Sequence, residues 1–291
     1  MTFFLKLSNL STRQLITKDA AAPLQLKNSH IYNKIRKITT LRMLKTTAMS
    51  VNLCIDWGNT NIKAAIFDNN SISQTFVLSH GKAIEEMSAI IENHKPERAI
   101  ISSVTGESKE FEKVLASKMK SFIKLDGFTR TPINNAYGTP ETLGPDRLAM
   151  VVGAHAAFPD KSNLVICLGT CITYNMVLKT RTFRGGSISP GMRMRLKAMH
   201  EFTDKLPEVS IDGDIVLMGY DTESGIRSGA IYGVACEIDG MIAAYEKTIA
   251  DFNVILTGGD APFFVDKFKS QIFADPDILL KGLNVILNYN V

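Results

Sequence analysis

The alternation of apolar and polar positions sets out two similar devices along the chain. Residues 53–55 (Leu, Cys, Ile) form a short apolar run, residues 56–60 are turn-forming, and residues 62–67 resume an apolar strand. That pattern predicts a hairpin with its polar groups at the tip. Residues 164–173 repeat it: shifted by 111 positions, Leu164 falls on Leu53, Ile166 on Ile55 and Gly169 on Gly58. Helical periodicity follows each hairpin, over 84–92 and 109–120 in the first half and over 228–252 in the second. A further helix is predicted over 148–157, broken by Pro159 and Asp160, so the halves 49–158 and 159–291 meet near 158–163. The expectation is an α/β fold of two duplicated halves.

Composition narrows the class. A chain of 291 residues with 45% hydrophobic content can bury a substantial core, and it holds no run of 18 apolar residues to predict a membrane span. The net charge of +4 is unevenly placed, because residues 1–48 contain nine basic groups and one acidic, Asp19. The remainder carries about −4, which argues against a nucleic-acid-binding face. Three readings fit that basic leader: an upstream stretch ahead of a start at Met43 or Met49, an organellar targeting segment, or a disordered basic arm. Each places it outside the fold. Cys54, Cys167, Cys171 and Cys236 show no Cys-x-x-Cys pair, and none of the five histidines stands at metal-ligand spacing, so buried free thiols in a reduced cytoplasm are expected.

The first hairpin tip carries candidate chemistry. Backbone amides at Gly58, Asn59 and Thr60 suit phosphate oxygens, Asp56 suits a metal-bound water, and Lys63 suits neutralisation of phosphate charge. An ordinary hairpin with an Asn-containing turn accounts for the same residues. Trp57 either shields the phosphates or packs against the strand behind it.

Two such hairpins opening two halves resemble the acetate and sugar kinase, Hsp70 and actin superfamily, whose ribonuclease H-like halves close on a nucleotide. Further segments carry a closer resemblance: Tyr137 followed by Gly144-Pro145-Asp146-Arg147, then the glycine-rich stretch from Gly185 to Gly191, then residues 203–207. Thr222 ahead of Ser228-Gly229, Thr257-Gly258-Gly259 after an apolar strand, and Gly282-Leu283-Asn284 near the C-terminus complete the order. From about Asn52 onward the chain resembles type III pantothenate kinase, the enzyme that opens coenzyme A synthesis.

The resemblance implies a homodimeric cytoplasmic kinase that uses ATP with Mg and a monovalent cation, K or NH4, to phosphorylate pantothenate. It implies that Asp146 is the general base, and that Asp56, Trp57, Gly58, Asn59, Thr60, Asn61, Ile62, Lys63 and Thr170 hold the nucleotide. Tyr137, Gly144, Pro145, Asp146, Arg147 and Thr222 would contact pantothenate, the planar fork of Arg147 suiting a carboxylate. Thr257, Gly258 and Gly259 would pass beneath the nucleoside. Ser187 and Ser189 have no partner identifiable from sequence and are given no catalytic role.

Two positions depart from the family pattern. Cys167 stands where the family's cation-binding Asp is expected, and thiol sulfur is a poor ligand for a hard alkali cation. Either other oxygens hold the cation, the dependence is lost, or the enzyme is weakened. Asn175 stands where a carboxylate is common. A weakened nucleotide-binding regulator on the same scaffold and a kinase of another small alcohol are the alternatives to a pantothenate kinase.

Overall fold

The computed structural model describes residues 50–291 apart from residue 265, so the basic leader with Met43 and Met49 lies outside the described residues. The chain from Ser50 to Val291 forms one compact unit. Its first sheet contains β1 (Val51–Trp57), β2 (Ile62–Asp68), β3 (Ser71–Leu78), β4 (Arg98–Ser103) and β5 (Ser121–Lys124) in the order β3-β2-β1-β4-β5. The second contains β6 (Asn134–Asn135), β7 (Ser162–Leu168), β8 (Cys171–Val177), β9 (Thr182–Pro190), β10 (Phe252–Thr257) and β11 (Phe273–Ala274) in the order β11-β10-β7-β8-β9-β6. Leaving β6 aside, the second order repeats the first strand for strand, with the same two antiparallel and two parallel pairings. This is the duplicated actin-like architecture expected from the paired hairpins. The short β6, from the first half of the sequence, pairs with β9 and so joins the second sheet.

Strand alternation sorts side chains into layers. Leu53, Ile55 and Trp57 of β1 face an outer core under α1 (Ala83–His94) and α2 (Lys109–Lys118). Leu164, Ile166 and Leu168 of β7 face a second outer core that includes Ile231, Val234 and Ile238 of α5 (Thr222–Glu246). Between the sheets, Cys54 and Ile100 from one side and Val165 and Ile255 from the other meet α3 (Pro145–Ala157) and α6 (Ile278–Tyr289). The short α4 (Met192–Glu201) lies against α5.

At two glycines α3 and α6 approach backbone to backbone. A Cβ at Gly153 would collide with the carbonyl of Ile278, and one at Gly282 with that of Ala149. Buried amides fix α6 to the first sheet: Asn52 Nδ2 donates to Asn284 Oδ1 at 2.8 Å and to Asn288 Oδ1 at 3.0 Å, while Asn284 Nδ2 donates to the Asn69 carbonyl.

The long helix starts and stops six residues earlier than periodicity over 228–252 suggests. Its start is set by a capping box, in which Asp221 accepts from the Ser224 amide at 2.8 Å and Ser224 Oγ accepts from the Asp221 amide at 3.1 Å. Its end leaves room for β10, whose Phe252 already pairs with Ser162.

Candidate active site

The two hairpins deliver Asp56 and Cys167 to equivalent strand ends. Each follows a residue of the outer core by one position, so each points into the central layer. Across the first hairpin Asp56 pairs with Lys63, and across the second Cys167 pairs with Thr173. Because the second turn is one residue shorter, with three residues between Leu168 and Ile172 against four between Trp57 and Ile62, Thr173 occupies the place of Lys63. The charged pair of the first half is therefore replaced by an uncharged one in the second.

The first turn of α3 enters between these strand ends. Pro145 takes the first helical position, where no amide hydrogen is needed, and Asp146 follows in the first turn, where the helix dipole favours an anion. Burial pushes the Asp146 carboxyl up, opposed by hydrogen bonds from the Arg147 and Asp146 amides and by the Arg147 charge. Burial and then the neighbouring Asp146 push Asp56 up to about 7, with Lys63 and Ser102 opposing. Burial, Asp146 and Asp56 push the Cys167 thiol up to about 12. Asp56, Lys63, Asp146 and Cys167 thus share one cleft.

Arg147 lines the side of it. Its Nε donates to Asn175 Oδ1 at 2.6 Å, its Nη1 reaches Tyr137 Oη at 3.5 Å, and its guanidinium carbon lies 5.5 Å from the Tyr137 ring centre. Tyr137 is held by stacking on Phe183, with ring centres 6.1 Å apart. Asn175 Nδ2 donates to the Val165 carbonyl at 3.3 Å and to Thr173 Oγ1 at 3.0 Å, leaving its carbonyl oxygen to Arg147. The Nη2 of Arg147 is buried without a protein partner.

Other expected site residues fall in different places. Gly58 is half-buried and Asn59, Thr60 and Asn61 are exposed on the first turn, while Thr170 is exposed on the second. The Thr170 carbonyl accepts from the Gly191 amide at 3.0 Å, joining that turn to the end of the glycine-rich stretch. Trp57 and Ile62 turn away from the cleft into the outer core. The Trp57 ring lies 5.5 Å from Phe111 and 5.8 Å from His80, so it packs behind the strand. Thr222 is exposed at the start of α5, and among the described residues no hydrogen bond links it to Tyr137, Asp146 or Arg147.

Thr257 is level with Cys167 in the parallel β10–β7 pair, and Gly258 follows it with φ of 101°, where a Cβ would also strike the Leu168 backbone. Asp260, just beyond, donates its amide to the Leu168 carbonyl and pairs with Arg193 at 3.5 Å.

Two features were missed from sequence. Ser102, level with Asp56 on β4, stands beside the first carboxylate. Its signal was the break of the apolar run 99–101 by a hydroxyl at the strand's end. Ser189 has partners after all: it donates to Glu237 Oε2 at 3.1 Å and accepts from Arg195 Nη2 at 3.1 Å. Tyr174 donates to the same Glu237 carboxylate at 2.9 Å, and Arg195 pairs with it. This network ties β8 and β9 to α4 and α5, which no local sequence pattern announces.

The profile of type III pantothenate kinase matches residues 52–244. The chain belongs to the type III pantothenate kinase family. A Bacteroides fragilis type III pantothenate kinase is 46% identical over 243 residues, 82% of this chain and 98% of the relative. The Christiangramia forsetii type III pantothenate kinase is 40% identical over 241 residues, 82% of this chain and 99% of the relative. Among solved structures, a Campylobacter jejuni protein assigned to the Baf family of transcriptional activators superposes with a TM-score of 0.52 at 22% identity, covering 82% of this chain and 98% of its own. A Listeria monocytogenes protein assigned as an N-acetylmannosamine kinase gives a TM-score of 0.51 at 11% identity, covering 82% and 99%. These two likenesses are of fold.

Proposed function

We propose that the protein transfers the γ-phosphoryl group of ATP to the primary hydroxyl of pantothenate, forming 4'-phosphopantothenate, the opening step of coenzyme A synthesis. The observation that carries this reading is the convergence of Asp56, Lys63 and Asp146 on one cleft with the unsatisfied guanidinium edge of Arg147 beside them. Membership of the kinase family disfavours the regulator and the other-substrate alternatives.

Each residue has a distinct task. Asp146, with a carboxyl held above its usual range, accepts the proton of the attacking hydroxyl as the new phosphorus–oxygen bond forms and the bond to the departing ADP breaks. Lys63 and the amides of Gly58, Asn59, Thr60 and Asn61 hold the phosphates, joined by Thr170 from the second turn. Asp56 would hold a water of a magnesium ion carried by the nucleotide. One carboxylate at one strand end fits a metal that arrives on the nucleotide, and among the described residues no three His, Cys, Asp or Glu side chains group to cage one. Magnesium bound to the phosphates neutralises their charge. Arg147 offers Nη2 to the pantothenate carboxylate, with Tyr137 as a flat wall. Gly144 and Pro145 shape the approach to Asp146, and Thr222 is presented from α5.

The donor set at Cys167 does not fit a hard monovalent cation. Its thiol stays protonated at neutral pH and its hairpin partner is Thr173, so no step is assigned to potassium or ammonium here. A homodimer accords with the exposed run Leu217, Met218 and Tyr220 immediately before Thr222, apolar surface of the kind that partners cover. Among the described residues no helix is long and apolar enough to cross a membrane, and a cytoplasmic site of action accords with a metabolic kinase.

The test is ATP-dependent conversion of pantothenate by the purified chain with magnesium, beside Asp146→Asn. The variant should lose roughly 100-fold or more in kcat while binding ATP normally. Substantial residual turnover would remove Asp146 from the role of base, and no turnover by the native chain would refute the assignment.

A further inference from the structure

Ser102 has no part in the motifs or in the mechanism above, yet it stands at a strand end that meets the cleft. In the parallel β1–β4 pair it is level with Asp56. Cys54 and Ile100, two residues earlier on each strand, both belong to the central core, so alternation turns Asp56 and Ser102 to the same inner face. Ser102 is fully buried, its Oγ has no hydrogen-bond partner among the described residues, and the Asp56 carboxylate is the polar group level with it on the neighbouring strand. A buried hydroxyl kept without a settled partner is a cost to folding that alanine would remove. The second half repeats the arrangement with Thr257 level with Cys167. Each half therefore sets a hydroxyl level with the penultimate residue of its first strand.

We infer that Ser102 is a positioning residue for phosphoryl transfer: its hydroxyl donates to the Asp56 carboxylate and fixes which oxygen is turned toward the water of the nucleotide-bound magnesium. This role rests on the kinase reading. It acts through Asp56 and touches neither substrate.

The experiment compares Ser102→Ala, Ser102→Thr, Asp56→Asn and the double variant Asp56→Asn/Ser102→Ala in the full chain. It measures kcat and KM for both substrates across a magnesium titration, together with melting temperature. Ser102→Ala should lose roughly 10-fold in kcat/KM for ATP at limiting magnesium, the scale of one charge-assisted hydrogen bond. Its KM for pantothenate should be unchanged and its melting temperature equal or higher. Ser102→Thr should recover most of the rate, and the double variant should be no slower than Asp56→Asn alone. Wild-type kinetics in Ser102→Ala, multiplicative losses in the double variant, or a lowered melting temperature with damage to both substrates would overturn the role. Absence of pantothenate phosphorylation by the unmodified chain would instead overturn the kinase reading, and this role with it.

Discussion

Arg147 donates from Nε to Asn175 Oδ1 at 2.6 Å, so the helix that carries the proposed base is tied to the second sheet through a neutral amide. A carboxylate at Asn175 would neutralise the guanidinium. The amide orients it and leaves both its charge and the Nη2 donor for a ligand.

Arg147→Lys should raise the KM for pantothenate by about 10-fold or more, because an ammonium cannot hold Asn175 and present a second donor in the same plane. Asn175→Asp should raise it by a similar factor through internal pairing. Steady-state kinetics with pantothenate varied at saturating ATP would decide, and an unchanged KM in both variants would place the carboxylate elsewhere.

Ionisation of Asp56 should be visible in both rate and stability. Its carboxyl is held at about 7 in the fold by burial and Asp146, against 3.8 as its ordinary value. The folded state therefore binds more protons than the unfolded one across that window, and stability contributed by the protonated form is lost as pH rises from about 4 to about 7. Asp56→Asn should raise the stability at pH 8 by an amount on the order of 1–4 kcal/mol, seen as a higher melting temperature, and leave it unchanged at pH 4. In the native enzyme kcat/KM for ATP should climb through neutral pH as the carboxylate ionises. Thermal melts and a pH–rate profile test the two halves of this expectation.

Cys167→Asp would place a third carboxyl beside Asp56 and Asp146, since the thiol already feels both. Like charges at that range disfavour one another. The variant should be less stable than the native chain in a sodium-free, potassium-free buffer and should regain stability and rate on addition of potassium or ammonium. The native enzyme should respond by less than about twofold, a ratio under 0.5 kcal/mol in free energy. A large cation response in the native chain would mean that oxygens other than residue 167 supply the site.

Gly153→Ala and Gly282→Ala should each destabilise the protein by about 1–3 kcal/mol or more, because the added methyl meets backbone that cannot move aside as a side chain can. Denaturant unfolding at pH 7 measures this. Near-native stability in both would mean that α3 and α6 can separate without cost.

The hairpins and their repetition were legible because each rests on local chemistry, apolar runs punctuated by turn residues. In contrast, α3 starts at Pro145, three residues before the 148–157 that apolar patterning predicts, because a proline at the first helical position carries no apolar signal. The fit of Cys167 to Asp56 was legible as the hairpins were, since the 111-residue offset holds up to Gly169. Beyond that glycine the second turn loses a residue, so the match of Lys63 to Thr173 appears only in strand register. Trp57 was undecided in sequence because a tryptophan beside a turn serves either face, and parity along β1 settles its direction. Ser102, Asn175 and the Ser189–Glu237–Arg195 network depend on strands and helices distant in sequence coming together, which no periodicity records. The central position of α6 is of this kind too: its amphipathic pattern says that it is buried, and only its contacts with α3 and with β1 say where.

Because residues 278–289 lie between the sheets, the central layer is completed by a segment that leaves the ribosome after everything it packs against. Until it arrives, Cys54, Ile100, Val165 and Ile255 have an incomplete apolar cover. The order of synthesis therefore leaves both inner faces partly uncovered until residues 278–289 emerge. Nascent chains stopped short of residue 278 are expected to bind hydrophobic probes and to be cut readily by protease, while chains that carry α6 through are not.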